Sequence, residues 1–218
     1  MSTTYDCAQP DTRAAGLTAA FTALRGGKLV VLPTDTLYGL GCDAFDSVGV
    51  TSLLRAKNRG RDMPVPVLVG SWKSIDGLVF TVPPAARTLV EAFWPGGLSL
   101  VVQQAPSLSW DLGDTRGTVM LRMPLHPVAL ELLREVGPMA VSSANVSGEP
   151  PATTVSAAQG QLGAAVGVYL DGGPCAAAVA STIVDLTGER PLVLREGAVP
   201  TVAIAEALRL EPDELTAP

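Results

Sequence analysis

Apolar residues along this chain come in two rhythms. Recurrence every three to four positions predicts a helix, and a short apolar run between Gly and Pro predicts a buried strand. Leu17, Phe21 and Leu24 mark a helix that Asp11 can cap and Gly26-Gly27 can end. KLVVLP (28–33) reads as a strand, and Ser47 can cap a helix running through Val50, Leu53 and Leu54. VPVLVG (65–70) reads as a strand, and AARTLVEAFW (85–94) as a helix stopped by Pro95-Gly96-Gly97. LSLVVQQ (98–104) and GTVMLRM (117–123) are strand runs. PVALELLREVG (127–137) is helical, with Pro127 in its first turn and Gly137 past its end. MAVSS (139–143) is a strand and VSAAQGQL (155–162) a weaker helix. VGVYLDGG, STIVDLTG and PLVLREG are further strands, and TVAIAEALRL (201–210) is a closing helix. Helices interleave with strands up to residue 143, and strand runs then follow one another. This order predicts an α/β fold with a sheet of mixed direction.

Composition narrows the function classes. The 218 residues, 47% hydrophobic and 17% charged, fit one domain with a sizeable core. No apolar run reaches the ~18 residues of a membrane span, and MSTTYDCAQPDTR lacks the pattern of a signal peptide. Cys7, Cys42 and Cys175 are odd in number and far apart. They read as incidental thiols of a reducing cytoplasm, not as a disulfide framework or a zinc site. A net charge of −6 disfavours broad nucleic-acid binding but permits a local cationic pocket. His126, the single histidine, precedes a helix pattern, where a boundary role outweighs catalysis.

Against that acidic balance, RAKNRGRD (55–62) places four cations close together. A helix C-terminus explains one or two of them, with Lys57 near the dipole and Asn58 or Gly60 as the left-handed cap. A bound polyanion explains the excess better, because Arg forks and Lys point charges match phosphate oxygens. Other polar stretches fall at strand ends, where ligands of open α/β sheets bind. They are PTDTLYGLG (33–41), RMP (122–124), SSANVSGEP (142–150), STIVD (181–185) and LREG (194–197). PTDTLYGLG and SSANVSGEP also read as turns, with Pro33 and Gly39 as turn residues. There is no GxxxxGK[ST] loop, and YGLGCDA lacks the third glycine of a dinucleotide fingerprint.

Taken in order, PTDTLYGLG, AKNRGRDMP, VMLRMPLHP, SSANVSG, STIVDL and LREG resemble the YrdC-like threonylcarbamoyl-AMP synthases in their short form, over about residues 12–210. The resemblance implies a single YrdC-like domain over 1–218, with a twisted mixed sheet, surrounding helices and a concave, positively charged cavity. It implies that L-threonine, bicarbonate and ATP give L-threonylcarbamoyl-AMP and pyrophosphate, with Mg²⁺ held through the phosphates and no protein metal site. It places the enzyme in the cytoplasm, off the membrane. A downstream transferase then passes the group to adenosine beside the anticodon of tRNA, so contact with tRNA is indirect. By position, Lys57, Arg59, Thr118, Ser143, Asn145 and Arg195 are implied to bind ATP, with Lys57 and Arg59 central to catalysis. Thr36, Arg122, Val141 and Ser181 are implied to hold threonine. The chain departs from the family pattern at Gly60, Met63 and Leu68. Asp35 reads equally as a support to the site or as a turn stabiliser. Competing functions are an RNA-binding module without chemistry and a carbamoyl-AMP-forming relative.

Overall fold

A computed structural model describes residues 2–216. Among them, ten strands form one sheet. They are β1 (Thr3–Asp6), β2 (Leu29–Leu32), β3 (Gly39–Asp43), β4 (Val67–Leu68), β5 (Leu98–Gln103), β6 (Thr118–Arg122), β7 (Met139–Ser143), β8 (Val166–Asp171), β9 (Thr182–Asp185) and β10 (Leu192–Arg195). Their spatial order is β1-β8-β2-β3-β7-β4-β6-β5-β9-β10. Parallel pairs (β1/β8, β2/β8, β4/β6, β5/β9) are mixed with antiparallel ones, as the chain order predicts. The helices are α1 (Pro10–Arg25), α2 (Ser47–Ala56), α3 (Ile75–Leu78), α4 (Pro84–Phe93), α5 (Pro127–Val136), α6 (Val155–Leu162) and α7 (Thr201–Leu208).

Side chains alternate between the two faces of the sheet. Leu29 and Val31 of β2 belong to a large core with residues of α2, α3, α4, α6 and α7. Val30 and Leu32 face the other way, into a smaller core built with α1 and α5. The smaller core takes in β8, β7 and Leu68 of β4 but no residue of β5, β6 or β9. One face of the sheet is therefore covered by helices over only part of its width.

Several boundaries differ from the sequence reading. Helix α1 starts at Pro10, with Gln9 at its N-cap and Asp11 inside the first turn. Asp46, not Ser47, caps α2, through a 3.0 Å bond from the Val48 amide. YGLGCD, read as loop, contains β3. A Cβ at Gly39 would lie 2.6 Å from Val141 Cγ1, and one at Gly41 2.9 Å from Met139 Cε. These glycines let β3 lie close against β7, so they serve sheet packing and not a turn.

Candidate active site

Residues paired across adjacent strands point to the same face. Leu68 pairs with Arg122, Ser99 pairs with Ile183, and the Leu100–Leu121 register brings Ser99 beside Arg122. Leu68, Arg122, Ser99 and Ile183 thus form a row across β4, β6, β5 and β9 that runs from Leu68, at the edge of the α1/α5 core, onto the part of that face α1 and α5 leave uncovered. This row floors a cavity of about 270 Å³. Its walls come from Thr34–Gly39, from Arg59 with Pro64 and Pro66, from Ser142 and Ser143, and from Ala180, Ser181 and Arg195. Three arginines line it and no carboxylate does.

Arg122 is 7% exposed. Its Nε donates to Gly96 O (2.8 Å), Nη1 to Thr36 Oγ1 (2.7 Å) and Nη2 to Asp35 Oδ1 (2.6 Å). Two of its five N–H groups, one on each Nη, remain for a ligand. Burial lowers its pKa, and Asp35 opposes that effect. Asp35 also accepts from the Leu125 amide at 2.8 Å. Thr34 Oγ1 accepts from the amides of Thr36 and Leu37, which folds the 34–37 turn and presents Thr36 to Arg122.

Arg59 and Arg195 have no carboxylate within salt-bridge distance among the described residues. Arg59 is fixed by Met63 O (2.7 Å), Pro64 O (2.9 Å) and Ser142 Oγ (3.0 Å). Arg195 is fixed by Ser181 O, from Nε at 3.1 Å and Nη2 at 2.8 Å. Both have pKa values lowered by burial. Guanidiniums held by neutral acceptors at a desolvation cost keep their charge for an anion.

The four cations of RAKNRGRD go to four different places. Arg55 ends α2 and is exposed. Arg61 pairs with Asp111 (2.7 Å) and Asp114 (3.6 Å) on the surface. Arg59 lines the cavity, and Lys57 lies beneath it, 2% exposed. Lys57 Nζ donates to Ser143 O, to Asn145 O (2.6 Å) and to Asn145 Oδ1 (3.4 Å). Burial, and next the neighbouring Arg59 charge, lower its pKa to about 8. Asn58 takes the positive φ expected of the helix end. The Asn145 amide donates to Val146 O and Glu149 O (both 2.9 Å), so its side chain braces its own loop. Thr118 Oγ1 donates to Thr115 O at 2.8 Å. Of the residues expected at the site, Thr36, Arg59, Arg122, Val141, Ser143, Ser181 and Arg195 line the cavity, and Lys57, Asn145 and Thr118 lie outside its lining.

Sequence reading missed Ser99 and Ile183. The signal for Ser99 was a small polar residue inside LSLVV, where the period of two turns it away from the buried Leu98 and Leu100. Of the family departures, Leu68 lies on the cavity floor, while Met63 is 44% exposed and offers only its carbonyl, to Arg59. His126 is the N-cap residue of α5, half-buried, with its pKa lowered by burial. Burial pushes Cys7 up to about 11 and Cys42 up to about 12, and also raises Cys175, so none is a ready thiolate. Among the described residues, no group of three His, Cys, Asp or Glu could hold a metal ion, and no helix is long and apolar enough to cross a membrane.

Residues 22–197 match the Sua5_yciO_yrdC family model, described as "Telomere recombination". A Mycobacterium leprae protein is 64% identical over 100% of this chain and 99% of its own length. The threonylcarbamoyl-AMP synthase of Pyrococcus abyssi is 35% identical over 85% of this chain and 55% of its own. The crystal structure of P. abyssi Sua5 complexed with L-threonine superposes with a TM-score of 0.88, covering 95% of this chain and 61% of that one at 32% identity. The ordered motifs, the ten-stranded sheet and these matches agree: the chain belongs to the Sua5/YciO/YrdC family.

Proposed function

We propose that the chain joins L-threonine, bicarbonate and ATP into L-threonylcarbamoyl-AMP, releasing pyrophosphate. The observation that carries this reading is a carboxylate-free cavity with three arginines, two of them unpaired, beside a buried hydroxyl cluster. The threonine-named ligand of the P. abyssi relative and that relative's activity name support the substrate assignment.

Threonine's amine and bicarbonate form a carbamate with loss of water. A carbamate oxygen then bonds to the α-phosphorus of ATP as the bond to pyrophosphate breaks. No protein nucleophile is required, so positioning and charge neutralisation carry the rate. The free N–H groups of Arg122 take the threonine carboxylate, with Thr36, Val141 and Ser181 around it. Arg59 and Arg195 take phosphate oxygens, and Ser143 faces the nucleotide from the end of β7. Lys57 acts one layer back: it holds the 143–145 backbone in place and adds positive charge beneath Arg59. Thr118 and Asn145 fix the rim from outside the cavity. The donor set around the cavity does not fit a protein-bound metal, because no carboxylate lines it. Any Mg²⁺ would come with ATP, held through its phosphates.

The whole chain acts as one domain in the cytoplasm, where its three free thiols are stable. A separate transferase carries the product to tRNA. Purified chain incubated with threonine, bicarbonate and ATP, without RNA, should release pyrophosphate and yield threonylcarbamoyl-AMP by mass spectrometry. A product lacking the threonine mass would reassign it as a carbamoyl-AMP former, and no pyrophosphate release would leave an RNA-binding module.

A further inference from the structure

Ser99 lies on the cavity floor, 3% exposed, and its hydroxyl is 2.9 Å from the Ser181 hydroxyl. Either hydroxyl could donate in that bond, and Arg195, which can only donate, biases the choice. Arg195 Nη2 bonds Ser181 O at 2.8 Å and also reaches Ser181 Oγ at 3.3 Å. Accepting from the guanidinium polarises the Ser181 hydroxyl, which favours its donation to Ser99 over the reverse. With Ser99 Oγ accepting that proton, its own proton is left without an acceptor among the described residues. Buried hydroxyl protons are rarely left unbonded. Leu98 and Leu100 flank Ser99 on the opposite, apolar face, so the open direction is the cavity.

We infer that Ser99 is a substrate-contacting donor, whose hydroxyl, polarised through Ser181 by Arg195, bonds an anionic oxygen of a ligand in this cavity. The inference rests on the proposed function and adds a contact to it. The anionic oxygen belongs either to the amino-acid part (carboxylate or carbamate) or to a phosphate of ATP. A cation at the head of the chain favours an anion at its end over a neutral group.

The test uses the full chain with Ser99→Ala, Ser99→Cys, Ser99→Thr, Ser181→Ala and the Ser99→Ala/Ser181→Ala double variant. Steady-state pyrophosphate release gives KM for each substrate, and calorimetric titration of threonine and of ATP gives affinities. Losing one bond to a charged group should raise one KM about tenfold. A rise for threonine assigns the oxygen to the amino-acid part, and a rise for ATP assigns it to a phosphate. Ser99→Cys, nearly the same size and a weak donor, should show the same loss with an unchanged melting temperature, and Ser99→Thr should recover most of it. The double variant should be weaker than Ser181→Ala alone. Unchanged affinity for both substrates in Ser99→Cys, or a double variant no weaker than Ser181→Ala, would overturn the inference. If the unmodified chain makes no threonylcarbamoyl-AMP, the proposed function falls, and the titrations still read Ser99 directly.

Discussion

Lys57 offers a test in which activity and stability should move in opposite directions. Its ammonium is 2% exposed, and burial lowers its pKa from 10.5 to about 8. At ~1.4 kcal/mol for each tenfold, the charged form is disfavoured by about 3 kcal/mol. Replacing it in Lys57→Met removes that penalty but strips Ser143 O and Asn145 O of their donor, at ~1–3 kcal/mol each. The two effects largely offset, so stability near pH 7 should range from a gain of about 1 to a loss of about 3 kcal/mol in urea unfolding. Activity should respond far more. Without the ammonium, the 143–145 backbone is no longer fixed and the charge beneath Arg59 is gone, and kcat/KM for ATP should fall by roughly 10²-fold. The pH dependence separates the two effects. Below about pH 8 the lysine is charged in both folded and unfolded chains. Between about 8 and 10.5 the unfolded chain binds the extra proton, so wild-type stability relative to Lys57→Met should rise with pH. In the same window kcat/KM should fall about tenfold for each pH unit, because the free enzyme loses the cation. The buried thiols of Cys7 and Cys42 are common to both proteins and cancel in the comparison. A Lys57→Met enzyme with wild-type kcat/KM, or a wild-type profile flat through pH 8–9, would refute the reasoning.

Other substitutions probe the remaining contacts. Arg59→Ala should cut pyrophosphate release by roughly 10²–10³-fold with saturating threonine, as one charge-assisted contact to phosphate is lost. Asp35→Asn keeps an oxygen near Arg122 Nη2 but turns a 2.6 Å ionic bond into a neutral one. It should raise KM for threonine several-fold, leave KM for ATP unchanged, and lower stability by ~1–2 kcal/mol in a thermal melt. Gly39→Ala should destabilise by ~1–3 kcal/mol, because its methyl would meet Val141 Cγ1 at 2.6 Å; calorimetry would report it as a lowered melting temperature.

Elements bounded by clear turn residues were legible, including the weakly patterned VSAAQGQL. MAVSS and VSAAQGQL fall on β7 and α6 at their full lengths, and PVALELLREVG differs from α5 by one residue. Strand β3 was hidden because glycine reads locally as a turn, while its reason here is nonlocal, the approach of Val141 from β7. The site divides the same way. Strand-end polarity located the cavity loops, but the cation cluster overstated their shared purpose. Whether Lys57 meets a ligand or a backbone carbonyl depends on where the 143–145 loop folds, 86 residues away. The Asp35–Arg122 pair, 87 residues apart, was likewise unreadable from either motif alone.

The helix arrangement explains why the cavity sits where it does. Helices α1 and α5 cover one face over β8, β2, β7 and Leu68, whereas α3, α4 and α7 pack into the core on the opposite face. The strip β6-β5-β9, beyond Leu68, is thus left with one helix-free face. An apolar strip of that kind would invite aggregation. Instead Arg122, Ser99 and Ser181 stand there, with Met120 and Ile183 between them, and the loops after β2 and β7 close the sides. In a chain of net charge −6, the lining holds three arginines and no carboxylate, with Asp35 pairing Arg122 from behind it. The charge separation therefore belongs to the site and not to the fold's stability: each arginine carries a desolvation penalty that an anionic ligand would relieve.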